Sequence, residues 1–222
     1  MITSHASLEM FQEFNWKIYQ LNDDRHCSSV VDIISYLHRD ITRILKAVRK
    51  EKHQELEKRI CVTFSWAFAV ASRLHINVAH EMWKRFPGCC PYCKGAVCDC
   101  KERADSRQAL TAARDRPESL RDWQKMFAAI YPNNKLQDSV MHLAEEIGEL
   151  SEAIRNFFAV HSDEAFNNIA EEIVDIFANL LGTANCLDFD VAALLADYYK
   201  DGCPKCQQCP CRCGYIVVDQ PV

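Results

Sequence analysis

The sequence predicts an all-α protein made of two tandem four-helix modules, each followed by a small cysteine loop. Three observations predict this. Apolar residues recur at helical spacing along the whole chain, with no run of period two. The chain repeats itself: KRICVTFSWAFAVASRLHINVAHEM (58–82) lies over EEIVDIFANLLGTANCLDFDVAALL (171–195) at an offset of 113. Finally, CPYCKGAVCDC (90–100) and CPKCQQCPCRC (203–213) end the two copies with four cysteines in register at that same offset.

The first helix is expected over 7–20, where SLEMFQEFNWKIY lies over SLRDWQKMFAAIY (119–131) at offset 112. The second, over 28–50, contains YLHRDITRILKAV (36–48), which lies over HLAEEIGELSEAI (142–154) at offset 106. Changes of offset fall between helical segments, where insertions are tolerated. Third and fourth helices are expected over 54–74 and 76–86, and their partners over 119–131, 136–158, 163–186 and 189–200. The stripe Leu143, Ile147, Leu150, Ile154 and the set Ile173, Ile176, Phe177, Leu180, Leu181 each mark one buried helix face. Breakers separate the elements: Pro132-Asn133-Asn134, His161-Ser162-Asp163, and Pro87-Gly88 or Asp201-Gly202 ahead of each cysteine loop. The resulting division is residues 1–100, a charged linker 101–118 without counterpart in the repeat, residues 119–213 and a tail 214–222.

Composition narrows the function. Hydrophobic residues make up 49% and charged residues 26% of 222 positions, which suits a compact globular chain. A formal charge of −5 gives no reason to expect nucleic-acid or acidic-membrane binding. The start of the chain lacks a basic stretch followed by an apolar run, and 61–71 is too short to span a bilayer, so a cytoplasmic protein is expected.

In a reducing compartment, thirteen cysteines point to metal rather than disulfides. Cys90, Cys93, Cys98 and Cys100, and again Cys203, Cys206, Cys211 and Cys213, place CPxC and CxC pairs four residues apart, which lets a short loop fold four sulfurs round one ion. Zn²⁺ accepts such closed tetrahedral sites and they are structural; disulfides and an iron–sulfur cluster are the competing readings. About two structural zinc ions per chain are expected, set away from the acidic site described next. Cys27, Cys61, Cys89, Cys186 and Cys209 read as spare or core thiols.

Only the second copy is rich in acids. Glu145, Glu146, Glu149, Glu171, Glu172 and Asp175 lie over Arg39, Asp40, Arg43, Lys58, Arg59 and Val62. Glu146 and Glu149 share one helix face, as do Glu172 and Asp175 on the next helix. Two such helices packed antiparallel bring four carboxylates together, and hard oxygen ligands of this kind suit Mg²⁺. A solvated acidic surface is the bland alternative, against which stands the basic and apolar character of the partner copy.

EEIGEL (145–150) followed by EEIVD (171–175) resembles the ExxE and ExxD signature of the all-α nucleoside triphosphate pyrophosphohydrolases, the MazG-like superfamily, over about 119–200; RDW (121–123) is similar to the dCTP-pyrophosphatase branch. The resemblance implies four-helix modules that assemble as dimers or tetramers, here an internal pseudo-dimer with further homodimerisation left open. It implies a Mg²⁺-dependent enzyme with its active site in the second repeat, hydrolysing a (d)NTP to (d)NMP and pyrophosphate. Glu146, Glu149, Glu172 and Asp175 would hold Mg²⁺, and an unliganded Glu145 or Glu171 would accept a proton from the attacking water. Asn179 would lie at the substrate rim, Lys125, Lys135, Arg155 and Lys200 are the candidates for the outer phosphates, and Trp123 and His142 for flanking a base. The first copy departs from the signature. The alternative function is a non-enzymatic nucleotide-sensing or protein-interaction module stabilised by zinc.

Overall fold

The structure, a computed structural model, describes residues 2–100 and 115–214; most of the expected linker and nearly all of the tail lie outside them. Among the described residues there are eight helices and no strand: α1 (Leu8–His26), α2 (Val30–Arg49), α3 (His53–Arg73), α4 (Val78–Arg85), α5 (Leu120–Ile130), α6 (Leu136–Val160), α7 (Asp163–Cys186) and α8 (Val191–Tyr198). The ends are set by local chemistry. Ser7, Asn77, Ser119, Ser162 and Asp190 each accept a backbone N–H at an N-terminus, satisfying one of the donors a first turn leaves unpaired.

α1 runs six residues beyond its expected end at 20. Its last turns are fixed by tertiary partners: Asp23 is buried, and Asp24 pairs with Arg73 of α3 at 3.2 Å. The expected apolar stripes of α6 and α7 are all buried.

The halves do not close separate cores. α2, α3, α6 and α7 form the centre, with α6 packed most extensively on α7 and α2 on α3, while α2 also packs on α6 and α3 on α7. Phe64 of α3 and Phe177 of α7 meet edge-to-face at 5.6 Å, and Phe68 lies 4.9 Å from Phe177. The short helices cross over: α4 packs on α7 and α8 on α3. α3 and α7 contact elements of both halves, so one continuous core spans the two. The boundary near residue 101 is therefore a boundary in sequence and not between two hydrophobic cores.

Each cysteine loop lies against the opposite half. The N–H of Cys98 donates to the carbonyl of Ile130 at the end of α5, and that of Cys211 donates to Ile18 in α1, both at 2.7 Å. No helix among the described residues is long and apolar enough to cross a membrane.

Candidate active site

α6 and α7 are joined by two residues. His161 takes a left-handed conformation that ends α6, and Ser162 caps α7. The tight connection makes the helices antiparallel and brings their acidic faces together, beside the buried stripes that hold them in register. One carboxylate oxygen each from Glu146, Glu149 and Glu172 lies within 4.8 Å of the others. One oxygen of Glu146 and one of Glu172 are buried without a hydrogen-bond partner among the described residues.

Such crowding is costly for three negative charges. Burial, and then the charges of Asp175, Glu149 and Glu172, push the Glu146 carboxyl up to about 8; burial followed by Asp175 and Glu149 pushes Glu172 up to about 7. The buried oxygens of Glu146 and Glu172 lack a hydrogen-bond partner among the described residues, burial and crowding raise both carboxyls, and hard oxygen donors so placed fit Mg²⁺. Asn179 donates to Glu146 Oε1 at 3.2 Å and to the Asp175 carbonyl at 3.1 Å, tying the α6 acid to α7.

Asp175 is engaged differently. Arg85, from the last turn of α4, donates to Asp175 Oδ1 from Nε at 3.2 Å and to Oδ2 from Nη2 at 2.8 Å, and its Nη1 donates to Glu171 Oε2 at 2.7 Å. Burial raises the Asp175 carboxyl, and Arg85 opposes that rise without cancelling it. Tyr92, in the first cysteine loop, is exposed; its hydroxyl is 3.5 Å from Arg85, whose guanidinium carbon lies 5.7 Å from the ring centre. Sequence reasoning misses both residues. They belong to the copy that lacks the acidic signature, and their counterparts at offset 113 are Tyr198 and Lys205, so the repeat gives no hint of them.

The other expected site residues divide. Glu145 is exposed on α6, next to the cluster in sequence. Glu171 is paired with Arg85 at 2.7 Å while its side chain stays 45% exposed. Trp123 is wholly buried, with its ring 6.2 Å from Trp83, so it packs the core and cannot flank a base. Lys125 is exposed and faces Asp122 at 3.7 Å; Lys200 pairs with Asp197 at 3.4 Å, beyond a helix that packs on α3 and α5. Lys135 is exposed at the start of α6, and His142 and Arg155 are exposed on it.

Both cysteine groups are local. The four Sγ atoms of Cys90, Cys93, Cys98 and Cys100 lie within 4.8 Å of one another, as do those of Cys203, Cys206, Cys211 and Cys213. The pairs Cys90–Cys100, Cys203–Cys213 and Cys206–Cys211 are separated by 3.7, 3.8 and 3.7 Å. A disulfide requires ~2.05 Å. Four sulfurs at ~2.3 Å from one tetrahedral zinc would be ~3.8 Å apart, so the geometry fits that ion. The N–H of Arg212 leads the influences that hold the Cys206 thiol down to about 6, favouring the thiolate a metal needs. The first loop is not remote from the acids, contrary to the sequence expectation, because exchange across the halves places Tyr92 beside Arg85.

A helical bundle holding clustered carboxylates on antiparallel helices defines the class: an all-α protein with a group of acids that could hold a metal ion. Within that class, the family model of the MazG nucleotide pyrophosphohydrolase domain matches residues 135–207, from the start of α6 into the second cysteine loop. The match takes in both acidic pairs, so this part of the chain is similar to the MazG nucleotide pyrophosphohydrolase domain. Neither the curated proteins nor the solved structures gave a match.

Proposed function

We propose that the protein is a Mg²⁺-dependent nucleoside triphosphate pyrophosphohydrolase whose active site lies in the second repeat, cleaving a (d)NTP between the α- and β-phosphates to (d)NMP and pyrophosphate. The observation that carries it is the convergence of Glu146, Glu149 and Glu172 within 4.8 Å, in the segment matched by the MazG domain. Glu146, Glu149, Glu172 and Asp175 supply the oxygens for the metal. Bound Mg²⁺ would neutralise phosphate charge and acidify the attacking water. Asn179 fixes the orientation of Glu146, and Arg85 that of Asp175 and Glu171. Glu145 is the proton acceptor, since Glu171 is taken up by Arg85. Lys135 is the remaining lysine suited to the outer phosphates.

The two repeats form one pseudo-dimer in which the first supplies architecture and the Arg85–Tyr92 corner. Equivalent residues that meet each other, such as Phe64 and Phe177, and the reciprocal bonds from Cys98 to Ile130 and from Cys211 to Ile18 support this arrangement. Zinc in each cysteine loop would hold it closed.

A nucleotide-sensing reading is favoured by one observation: Arg85 already balances part of the charge that a metal would balance. Incubating the purified protein with a panel of (d)NTPs, with Mg²⁺ and without it, and separating products by anion-exchange chromatography decides between them. Monophosphate and pyrophosphate formed only with Mg²⁺ support the enzyme. Nucleotide binding without turnover supports the sensor, and diphosphate with orthophosphate as primary products rejects the proposed reaction.

A further inference from the structure

A cavity of about 550 Å³ lies between α1, α2 and α3 of the first half and the end of α8 with the second cysteine loop, at the place that corresponds, by the repeat, to the acidic site. We propose that it binds a nucleotide directly, without a metal, through arginines where the second half uses carboxylates. Its wall includes Arg39, Arg43 and Lys205 together with Tyr36, Trp66 and Tyr198. At the repeat offsets these stand over Glu145, Glu149, Tyr92, His142, Asn179 and Arg85 in turn, so the two sites are built from equivalent positions, with the charge reversed from Glu145 and Glu149 to Arg39 and Arg43.

The cations are pre-arranged. Asp40, the counterpart of Glu146, is completely buried and accepts from Arg39 at 2.7 Å and from Arg43 at 3.0 Å, with Arg59 at 3.6 Å. Glu55 pairs with Arg59 at 2.9 Å. One carboxylate thus anchors two guanidiniums that line the cavity and stay about two-fifths exposed, at 42% and 43%. Ordered, partly exposed guanidinium forks suit phosphate oxygens, and anchoring removes part of the entropic cost of holding them. Asp23 is the single acid in the wall, set against three permanent cations. The second cysteine loop forms another part of the wall, and Lys205 and Arg212 offset the charge that a Cys₄ zinc centre would bring.

The aromatic face points to a base rather than to bare phosphate. Tyr36 and Trp66 are stacked with ring centres 4.7 Å apart and planes 12° from parallel, and Arg39 lies 4.9 Å from the Tyr36 centre. Trp66 is half-buried and lines the cavity, and a stacked pair of this kind provides a π surface for a purine or pyrimidine. The volume is in the range of pockets for small organic ligands. A metal–phosphate complex would meet Val62 where Asp175 stands in the other half, so the ligand is the metal-free nucleotide anion.

The test is isothermal titration of the full-length protein with ATP, dCTP, adenosine and inorganic tripolyphosphate in Mg²⁺-free, chelator-free buffer, which leaves zinc in place. The titrations are repeated on Glu149→Gln/Glu172→Gln, in which the acidic site is disabled. Nucleotides should bind both proteins equally. Arg43→Gln should weaken them by about tenfold or more, the loss of a charge-assisted contact. Lys205→Gln, in an exposed loop, serves as a second charge variant and should weaken binding while the protein stays folded and keeps its zinc. Trp66→Ala should weaken nucleotides by about tenfold while sparing tripolyphosphate. No Mg²⁺-free nucleotide binding overturns the proposal, as does binding that is lost in the acidic-site variant or unchanged in Arg43→Gln and Lys205→Gln. Tripolyphosphate binding as tightly as ATP, or Trp66→Ala without effect on nucleotides, overturns the nucleotide assignment. Because the readout is binding, absence of hydrolysis would leave this result intact.

Discussion

Arg85 and Asp175 are joined by two hydrogen bonds, at 3.2 and 2.8 Å, across the two halves of the chain, and this pair makes the acidic site a product of both. The side chains are 21% and 10% exposed, so neither charge is well solvated alone. Arg85→Gln is expected to destabilise the metal-free protein by about 2–3 kcal/mol, the cost of leaving a buried carboxylate without its cation. Mg²⁺ should recover part of the loss. Chemical denaturation with and without Mg²⁺ checks this, and equal stability of variant and parent in the absence of metal would contradict it.

Glu146→Gln, Glu149→Gln, Glu172→Gln and Asp175→Asn are each expected to lower kcat for Mg²⁺-dependent hydrolysis by about a hundredfold or more, since ligands of one ion act as a unit. Asp40→Asn should behave otherwise. Asp40 is buried beneath Arg39, Arg43 and Arg59, so its substitution should reduce thermal stability with far less effect on turnover of the folded protein. Unchanged turnover in Glu149→Gln and Asp175→Asn would remove the metal assignment.

The acids also set a pH dependence. Glu146 and Glu172, at about 8 and about 7 in the folded protein, bind protons more tightly than in the unfolded chain, where a glutamate titrates at ~4.3. Their contribution to stability is therefore complete below that unfolded value and is lost as pH rises through 7 to 8. The melting temperature of metal-free protein should fall between pH 6 and pH 8.5, and Glu146→Gln should flatten the fall. Mg²⁺ requires the ionised carboxylates, so the stabilisation it gives should be larger at pH 8.5. A Mg²⁺ effect that shrinks with rising pH would refute the ligand set.

Metal analysis should find about two zinc ions per chain, one per Cys₄ loop. Cys90→Ser and Cys203→Ser should both lose zinc and thermal stability. Hydrogen exchange should rise in α5 for Cys90→Ser, because Cys98 bonds to Ile130, and in α1 for Cys203→Ser, because Cys211 bonds to Ile18. The first loop carries Tyr92 against Arg85, so Cys90→Ser should reduce hydrolysis more than Cys203→Ser at temperatures where both stay folded. Exchange that rises only within each loop's own half would contradict the crossed arrangement.

The sequence by itself determined what depends on near neighbours along the chain. Helical spacing located eight elements, most ends to within two residues, because periodicity and caps such as Ser119 and Ser162 act within a few positions. Spacing of three put Glu146 with Glu149 on one face, and short loops gathered each set of four sulfurs. Tertiary structure decided which elements meet. Packing of α4 on α7 delivered Arg85 and Tyr92 to the acids, and the same crossing carried Tyr198 and Lys205 to the cavity of the first half. It also enclosed Trp123, whose position on the buried face of α5 is fixed by Trp83 from the other half. An amphipathic helix specifies that one face must leave water, but not which partner covers it. That choice is made by the summed burial of all the apolar faces at once, and in this chain α7 and α3 are covered by α6 and α2 of their own halves and also by α4 and α8 of the opposite ones.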